Sequence, residues 1–333
     1  MRIAVCRPQV PFARGGAEIF TDRLVDELRA RGHEADVVSV PFKWYPGTRV
    51  LTQAFLWRML DLDEADGQRI DLVVATKFPS YLVRHSEKRV WLVHQFRQAS
   101  ELDGTALGQF GDSPDDRALR RKVQALDSVA LGEATRRFAI SANVARRLEA
   151  TTGLTAEVLP HPPQALAYRC DDYGDFVLSV NRLDRAKRID LLIEAAGAAG
   201  TRVVVAGDGP DRERLESLAN GAVTFAGRVS EDELADLYAQ CLAVFYAPVD
   251  EDFGMVPYEA FLAEKPVVTT TDAGGPLEVV TDRVTGLVAE PRAEALAAAF
   301  RSLNADDAAA WGRAGGEIAA RVTWDATIDK LLA

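Results

Sequence analysis

The feature that most constrains the fold is an alternation of short apolar runs with helical segments, and this alternation occurs in two series along the chain. Apolar runs typical of buried strands occur in the first series at 2–6, 35–40, 71–75, 89–93 and 137–141. Strands expected in the second series are 176–180, 202–206, 223–225, 243–246 and 266–270. Because strands that alternate with helices form parallel sheets, the sequence predicts an α/β fold with two Rossmann-like, doubly wound domains.

The two series are separated by a proline-rich break, Pro160-His161-Pro162-Pro163, and a polar stretch that follows it. A chain of 333 residues is also longer than one hydrophobic core usually supports. We therefore predict a first domain over 1–163 and a second domain over 171–320. In sheets of this type, ligands bind at the carboxyl ends of the strands, so a cleft between the domains is the expected site.

Composition narrows the class of protein. Apolar residues make up 48% of the chain and charged residues 27%, which is typical of a soluble globular protein. The net charge of −11 argues against nucleic-acid binding, which depends on neutralising phosphates. Three widely spaced cysteines, four histidines without metal-ligand spacing and an amino terminus without a signal-peptide pattern together predict a cytoplasmic protein with no bound metal.

One stretch, Pro248 to Glu259, combines two carboxylates with a loop and the start of a helix. Glu251 and Glu259 stand eight positions apart, and a helix is expected over 258–263. Unpaired amides at a helix start suit a phosphate, and Gly254 allows a ligand to approach the backbone closely. The alternative is an ordinary loop between strand and helix with two solvated acids, and the stretch alone does not decide between these interpretations.

Four other segments follow predicted strands and carry groups that could bind an anion or act in catalysis. Gly15-Gly16 precedes the first helix, Arg182 and Lys187 follow the first strand of the second domain, and Gly209 lies in a tight turn. His94 ends a strand. Each has a plainer interpretation, as turn glycines, surface cations or a packed histidine, and none of them is decisive alone.

Taken in order, these motifs resemble the family-four retaining glycosyltransferases. The resemblance rests on G-G-A-E, H-Q, S-V-N-R-L-D-x-x-K, G-D-G-P, E-D-F-G-M-V-P-Y-E, K-P-V-V and G-G-x-x-E, and it is most specific in the E-x7-E of Glu251 and Glu259. It implies the GT-B fold, in which two Rossmann-like domains face a cleft and a final helix, here 321–333, returns to the first domain. It also implies transfer of a sugar from a nucleotide-diphosphate sugar, UDP- or GDP-linked, to a hydroxyl acceptor with retention at the anomeric carbon.

The resemblance also implies roles for individual residues. The catalytic residues it implies are Arg182, Lys187, Glu251 and His94. The donor-binding residues it implies are Gly15, Gly16, Gly209, Val229, Phe253, Gly254, Met255, Val256 and Glu259. No cofactor is required besides the donor, although a loosely bound magnesium ion stays open. The acceptor could be a carbohydrate, a lipid-linked compound or a small molecule, and the product a cell-surface polysaccharide, a glycolipid or another glycoconjugate.

Two alternatives and one further hypothesis remain. The chain could be a catalytically silent sugar-nucleotide-binding partner, or a nucleotide-sugar epimerase or hydrolase on the same fold. The segment 115–127 carries Arg117, Arg120, Arg121 and Lys122 beside apolar residues. This cluster fits either weak contact of the first domain with anionic headgroups at the inner membrane face or a solvated helix face.

Overall fold

The structure is a computed structural model that describes residues 1–12, 15–105, 108–164, 166–219 and 221–333. The chain forms two compact units. The first unit contains Met1–His161 together with Trp324–Ala333, and the second contains Pro162–Thr323. None of the described helices combines the length and the apolar character needed to cross a bilayer.

The first unit is built on a six-stranded parallel sheet with the strand order β2-β1-β5-β6-β7-β8. Its strands are β1 (Arg2–Gln9), β2 (Glu34–Pro41), β5 (Leu72–Lys77), β6 (Lys88–His94), β7 (Arg136–Ala139) and β8 (Glu157–Val158). A small antiparallel pair, β3 (Glu64–Ala65) and β4 (Gln68–Arg69), precedes β5. The predicted parallel sheet of the first domain is confirmed.

Helices connect these strands and bury one apolar face each. They are α1 (Gly16–Ala30), α2 (Arg49–Arg58), α3 (Pro114–Gly132), α4 (Ala142–Thr152) and α11 (Trp324–Leu332). In α1 the buried positions Phe20, Leu24 and Leu28 recur with the helical period, which is why this segment is helical. Helix α11, the last of the chain, buries Ile328 and Leu331 within the first unit.

The second unit has its own six-stranded parallel sheet, with the order β11-β10-β9-β12-β13-β14. Its strands are β9 (Phe176–Val180), β10 (Arg202–Ala206), β11 (Val223–Gly227), β12 (Ala243–Phe245), β13 (Val267–Thr270) and β14 (Gly286–Ala289). The strand order reverses at β9, which pairs with β10 on one side and with β12 on the other. The prediction of two doubly wound parallel sheets is confirmed.

The helices of the second unit cover the sheet, and one of them begins earlier than expected. They are α5 (Ile189–Ala199), α6 (Arg212–Leu218), α7 (Glu231–Gln240), α8 (Met255–Leu262), α9 (Ala293–Ser302) and α10 (Ala305–Ala319). Helix α8 begins three residues earlier than predicted, at Met255. The alanine-rich segment 293–310 contributes to two helices, because Asn304 caps α10 by accepting a hydrogen bond from the Asp307 N–H (3.0 Å).

Candidate functional site

Most of the predicted site residues lie in loops that follow the strands of the second unit. Arg182 and Lys187 follow β9, Gly209 follows β10, Val229 follows β11, and Glu251 follows β12. Because the sheet is parallel, the carboxyl ends of these neighbouring strands lie along one edge. Residues that are up to 69 positions apart in sequence are therefore brought to the same edge of the sheet.

The closest contact at this edge is an ion pair between Lys187 and Glu251. The Lys187 Nζ donates to a Glu251 carboxylate oxygen and lies 3.4 Å from the Tyr246 hydroxyl oxygen. The side chains of Lys187 and Glu251 are only 19% and 21% exposed. Burial alone would lower the pKa of Lys187, but Tyr246 and Glu251 outweigh it and hold that pKa above its ordinary value. Lys187 therefore stays positively charged at any physiological pH.

The loop that carries Glu251 is fixed by backbone hydrogen bonds. The Glu251 N–H donates to the Ala273 carbonyl (2.8 Å), and the Gly275 N–H donates to the Glu251 carbonyl (2.9 Å). Gly254 has a φ of 82°, and a Cβ at this residue would lie 2.9 Å from Tyr246 Cε1. Only glycine fits here, and it serves as the N-cap residue of α8.

Helix α8 begins directly after this loop, at Met255. The first N–H groups of a helix, here from Met255 and Val256 onward, lack partners within the helix. Phe253 ahead of them is 6% exposed, and its ring stacks on Tyr258 at a centroid distance of 5.0 Å. A helix start directly after a glycine is therefore present in this segment, and anion binding there stays a prediction.

The loops that contain Arg182 and Gly209 contact each other through their backbones. The Leu183 N–H donates to the Asp208 carbonyl, and the Asp211 N–H donates to the Leu183 carbonyl (3.1 Å each). The Arg182 side chain is exposed, and over the described ranges its guanidinium makes no hydrogen bond or ion pair. Arg182 is therefore a cation held at the sheet edge without a neutralising partner there.

Alanine at Gly209 is expected to lower the free energy of unfolding by about 1–3 kcal/mol through overpacking. A Cβ at Gly209 would lie 2.3 Å from the Leu183 carbonyl oxygen, so the two loops would have to separate. Urea denaturation of Gly209→Ala measures the effect. The control is Gly221→Ala, where an added Cβ meets no atom within 4 Å. Equal stability of the two variants would contradict the prediction.

Glu259 lies in the second turn of α8 and is bonded by a tyrosine of the preceding helix. The Tyr238 hydroxyl donates to Glu259 Oε2 at 2.7 Å. Burial raises the pKa of Glu259, and the hydrogen bond from Tyr238 opposes this rise only in part. In the part of the chain that the structure describes, no cation pairs with Glu259. Its carboxylate is therefore held by a neutral donor.

Val229 lies directly before Ser230, the N-cap residue of α7. Ser230 and Glu233 form a capping box, because the Ser230 N–H donates to Glu233 Oε2 (2.8 Å) and the Ser230 hydroxyl accepts from the Glu233 N–H (3.3 Å). Glu231 takes no part in this box and instead accepts a hydrogen bond from Gln164 Nε2 (2.6 Å).

In the first unit, Gly15 and Gly16 lie at the start of α1 as predicted, but one amide is already bonded. The Gly15 N–H donates to Glu18 Oε2 (2.9 Å), and Glu18 pairs with Lys77 Nζ (2.8 Å). Burial opposes ionisation of Glu18, yet Lys77 and the Gly15 N–H hold its pKa below the ordinary value. This helix start thus contains an ion pair, Glu18–Lys77, that the sequence pattern does not predict.

His94 ends β6, and a buried polar network supports the residue after it. The His94 Nδ1 lies 2.6 Å from the Gln95 carbonyl oxygen, which places the proton on Nδ1 in that contact. Gln95 Nε2 donates to Asp127 (3.1 Å), and the Tyr81 hydroxyl also donates to Asp127 (2.6 Å). Burial raises the pKa of Asp127 to about 7. The backbone next to His94 is therefore anchored to a carboxyl group that titrates near neutral pH.

Several of these contacts were missed from the sequence. Tyr238 and Tyr246 have the spacing of ordinary core aromatics, and no local pattern distinguishes a tyrosine whose hydroxyl bonds a site carboxylate. The Glu18–Lys77 pair joins residues of α1 and β5, and only the tertiary fold reveals it. Across the described ranges, no group of three or more His, Cys, Asp or Glu side chains has an arrangement that could hold a metal ion.

Residues 169–317 match the model of a family described as "Glycosyl transferases group 1". The second unit belongs to the group 1 glycosyl transferases. This match includes Arg182, Lys187, Gly209, Glu251 and Glu259, all of which lie in the group 1 domain. Gly15, Gly16 and His94 lie outside the matched segment.

A curated relative agrees with this family. The chain is 38% identical over 109 residues to the GDP-mannose-dependent alpha-mannosyltransferase of Mycobacterium tuberculosis. That alignment covers 33% of this chain and 28% of the relative, so the similarity spans less than a third of the relative's length.

Solved structures resemble the whole chain in fold. The sucrose-phosphate synthase of Thermosynechococcus elongatus superposes with a TM-score of 0.81 over 99% of this chain and 97% of that one, at 19% identity. Anabaena HepE in complex with UDP-glucose superposes with a TM-score of 0.71 over 100% and 98% of the two chains, at 17% identity. At these identities the similarity establishes the fold that surrounds the group 1 domain.

Proposed function

We propose that the protein is a retaining glycosyltransferase that moves a sugar from a UDP- or GDP-linked donor to a hydroxyl acceptor. The observation that carries the proposal is the partly buried Lys187–Glu251 pair at the carboxyl edge of a parallel sheet, with Arg182, which has no ion-pair partner among the described residues, in the same loop as Lys187. These groups lie in a domain of the group 1 glycosyl transferases. A sugar transfer needs fixed positive charge for a leaving diphosphate and a polar group for the transferred sugar, and this edge contains both.

In this proposal, Arg182 and Lys187 bind the diphosphate of the donor. Negative charge grows on the leaving diphosphate as its bond to the anomeric carbon breaks, and preformed cations stabilise that charge without reorganising. The amide of Gly16 contributes at the distal phosphate. The leaving phosphate oxygen takes the proton of the acceptor hydroxyl, so no carboxylate has to act as a base.

The two glutamates bind hydroxyl groups rather than flank the scissile bond as they do in a glycosidase. Glu251 accepts from a hydroxyl of the transferred sugar, and its pairing with Lys187 holds the carboxylate in place. Glu259 accepts from the ribose. The backbone amides at Phe253, Gly254, Met255 and Val256 contact the donor, and His94 lies near its sugar.

The names of relatives and neighbours support the donor class only broadly. The M. tuberculosis relative is named for GDP-mannose, and the HepE structure contains UDP-glucose. We therefore propose a nucleoside-diphosphate sugar and leave the base open between uracil and guanine. The cations at the site can neutralise the diphosphate without a metal held by the protein, and a magnesium ion carried by the donor is compatible with this arrangement.

We do not propose that the cations of α3 bind a membrane. In α3 the Arg117 guanidinium donates to the Asp112 carbonyl and Arg120 pairs with Asp103, so two of the four cations are engaged within the first unit. Arg121 and Lys122 are exposed, as on any solvated helix face. The acceptor is therefore proposed only as a hydroxyl compound.

Thermal denaturation with UDP-, GDP-, ADP- and dTDP-sugars is the first test. A donor at about 100 times its dissociation constant stabilises the folded state by roughly 2.7 kcal/mol, which gives a clear shift. We expect a shift with UDP- or GDP-sugars that Arg182→Ala abolishes and the matched control Arg185→Ala retains. No shift with any donor would contradict the proposal.

Product analysis separates the remaining alternatives. A retaining transferase releases the nucleoside diphosphate and forms a glycoside with the donor's anomeric configuration, which NMR of the product detects. An epimerase would change the sugar while it stays on the nucleotide. A silent binding protein would bind the donor without turnover. The wild type and Glu251→Ala would then both release nucleoside diphosphate only at the uncatalysed background rate.

A further inference from the structure

Two tyrosines next to Glu259 have no role in the function proposed so far. Tyr238 on α7 is fully buried, and its hydroxyl donates to Glu259 Oε2. Tyr168 packs edge-on against Tyr238, with ring centroids 5.7 Å apart and an interplanar angle of 74°. Three side chains, from the segment before β9, from α7 and from α8, thus form one cluster, which we call the Tyr168–Tyr238–Glu259 cluster.

Within this cluster, Tyr238 fixes one oxygen of the Glu259 carboxylate. A phenol has one proton to donate, and this proton is committed to Glu259. Burial, with the nearby charge of Glu259, raises the pKa of Tyr238 well above its ordinary value, so the phenol remains a donor at every working pH. A carboxylate has further acceptor positions, so Glu259 can bind a ligand through its second oxygen while Tyr238 holds the first.

Tyr168 supplies the second observation. Its hydroxyl oxygen is buried, and over the described residues it has no hydrogen-bond partner. Burial, together with the charges of Glu259 and Glu231, raises the pKa of Tyr168 above its ordinary value, so this hydroxyl also keeps its proton. An unpartnered buried hydroxyl is costly, and such groups in native proteins commonly have a partner that the unliganded chain does not supply.

We propose that Tyr238 is a positioning residue that fixes Glu259 to accept from a ribose hydroxyl, and that the Tyr168 hydroxyl bonds the same ribose. This proposal rests on the proposed function, because it names the part of the donor that the cluster recognises. The cluster combines an acceptor, the Glu259 carboxylate, with a donor, the Tyr168 hydroxyl. Each hydroxyl of a vicinal diol can both donate and accept a hydrogen bond. The site therefore selects ribonucleotides over nucleotides that lack these hydroxyls.

The first test measures binding of UDP and GDP and of their 2′,3′-dideoxy counterparts by calorimetry. The wild type should bind the ribonucleotide on the order of 10- to 100-fold more tightly than the dideoxy form, as expected for a hydrogen bond to a charged group. Tyr238→Phe should reduce this ratio below about threefold while dideoxy binding stays unchanged. Equal weakening of both ligands would mean that Tyr238 has only a structural role and would overturn the proposal.

Tyr168→Phe tests the second hydroxyl separately. Ribonucleotide binding should weaken several-fold while the melting temperature stays the same or rises, because a buried unpartnered group is removed. Unchanged ribonucleotide binding would overturn this part. The control is Tyr173→Phe, which removes a tyrosine hydroxyl bonded to the Glu264 carbonyl (2.9 Å), a group outside the cluster.

A second measurement needs no ligand. In protein with ¹³C-labelled glutamate, the Glu259 carboxyl signal is assigned by its loss in Glu259→Gln, and its titration midpoint is compared with that in Tyr238→Phe. Only the deprotonated form gains from the phenol, so the midpoint should be higher in the variant. Equal midpoints would overturn the positioning role. If the wild type bound neither nucleotide, the proposed function and the ribose contact would fail, while the titration would still decide the Tyr238–Glu259 contact.

Discussion

Replacing Lys187 with alanine is expected to lower kcat by about two to three orders of magnitude, the range found when one preorganised transition-state donor is removed. The variant loses the cation that stabilises the leaving diphosphate. It also leaves the Glu251 carboxylate, 21% exposed, without its ion-pair partner. Steady-state kinetics with the donor identified by thermal shift measures the effect, and nucleoside-diphosphate release is the readout.

The neighbouring Arg185 provides the matched control for this prediction. Its side chain lies two positions before Lys187, is 64% exposed and pairs with Asp211 at 3.3 Å, away from Glu251. Arg185→Ala should keep kcat within about twofold, because exposed pairs contribute little. If Lys187→Ala kept a third or more of wild-type kcat, or if both variants lost activity equally, the assigned role of Lys187 would be wrong.

The second large effect concerns Asp127 and the pH dependence of stability. The pKa of Asp127 is about 7 in the folded protein and near 3.8 in an exposed aspartate, so between these values the folded state binds more protons than the unfolded state. The stabilisation that Asp127 contributes is therefore fully present below about pH 4 and is lost as the pH rises through about 7. Between pH 5 and pH 8 the loss is about 2–3 kcal/mol.

The variant Asp127→Asn removes this titration and tests it directly. Urea denaturation from pH 5 to pH 8 should show the wild type losing stability relative to the variant by about that amount. The control is Asp115→Asn on the same helix, since Asp115 is exposed and its replacement should leave the pH profile parallel to that of the wild type. Parallel profiles for the wild type and Asp127→Asn would show that Asp127 does not titrate in this range.

The strands of both sheets were predictable because a parallel strand is buried on both faces and appears as a short, continuous apolar run. The loops at their carboxyl ends followed from the same reasoning, and so Lys187 and Glu251 were expected at one edge before any contact was known. The start of α8 was placed too late because Gly254, with its positive φ, begins the helix before the apolar period becomes visible.

Contacts between side chains of different elements were not predictable in the same way. The bond from Tyr238 to Glu259 depends on how α7 packs against α8, and a buried tyrosine in a helix has the same local pattern whether or not its hydroxyl is bonded. Asn304, which separates α9 from α10, lies between alanine-rich segments, and their high helix propensity masks a single capping residue in the sequence.

The membership of α11 in the first unit has a consequence for protein synthesis. The ribosome completes the entire second unit before it produces Trp324 to Ala333, so the first unit lacks its last helix until then. Ile328 and Leu331, which are 1% and 0% exposed in the finished protein, occupy places that stay uncovered in the nascent chain. The first unit to leave the ribosome is thus the last to be completed, and a chaperone would meet its uncovered apolar surface throughout translation of the second.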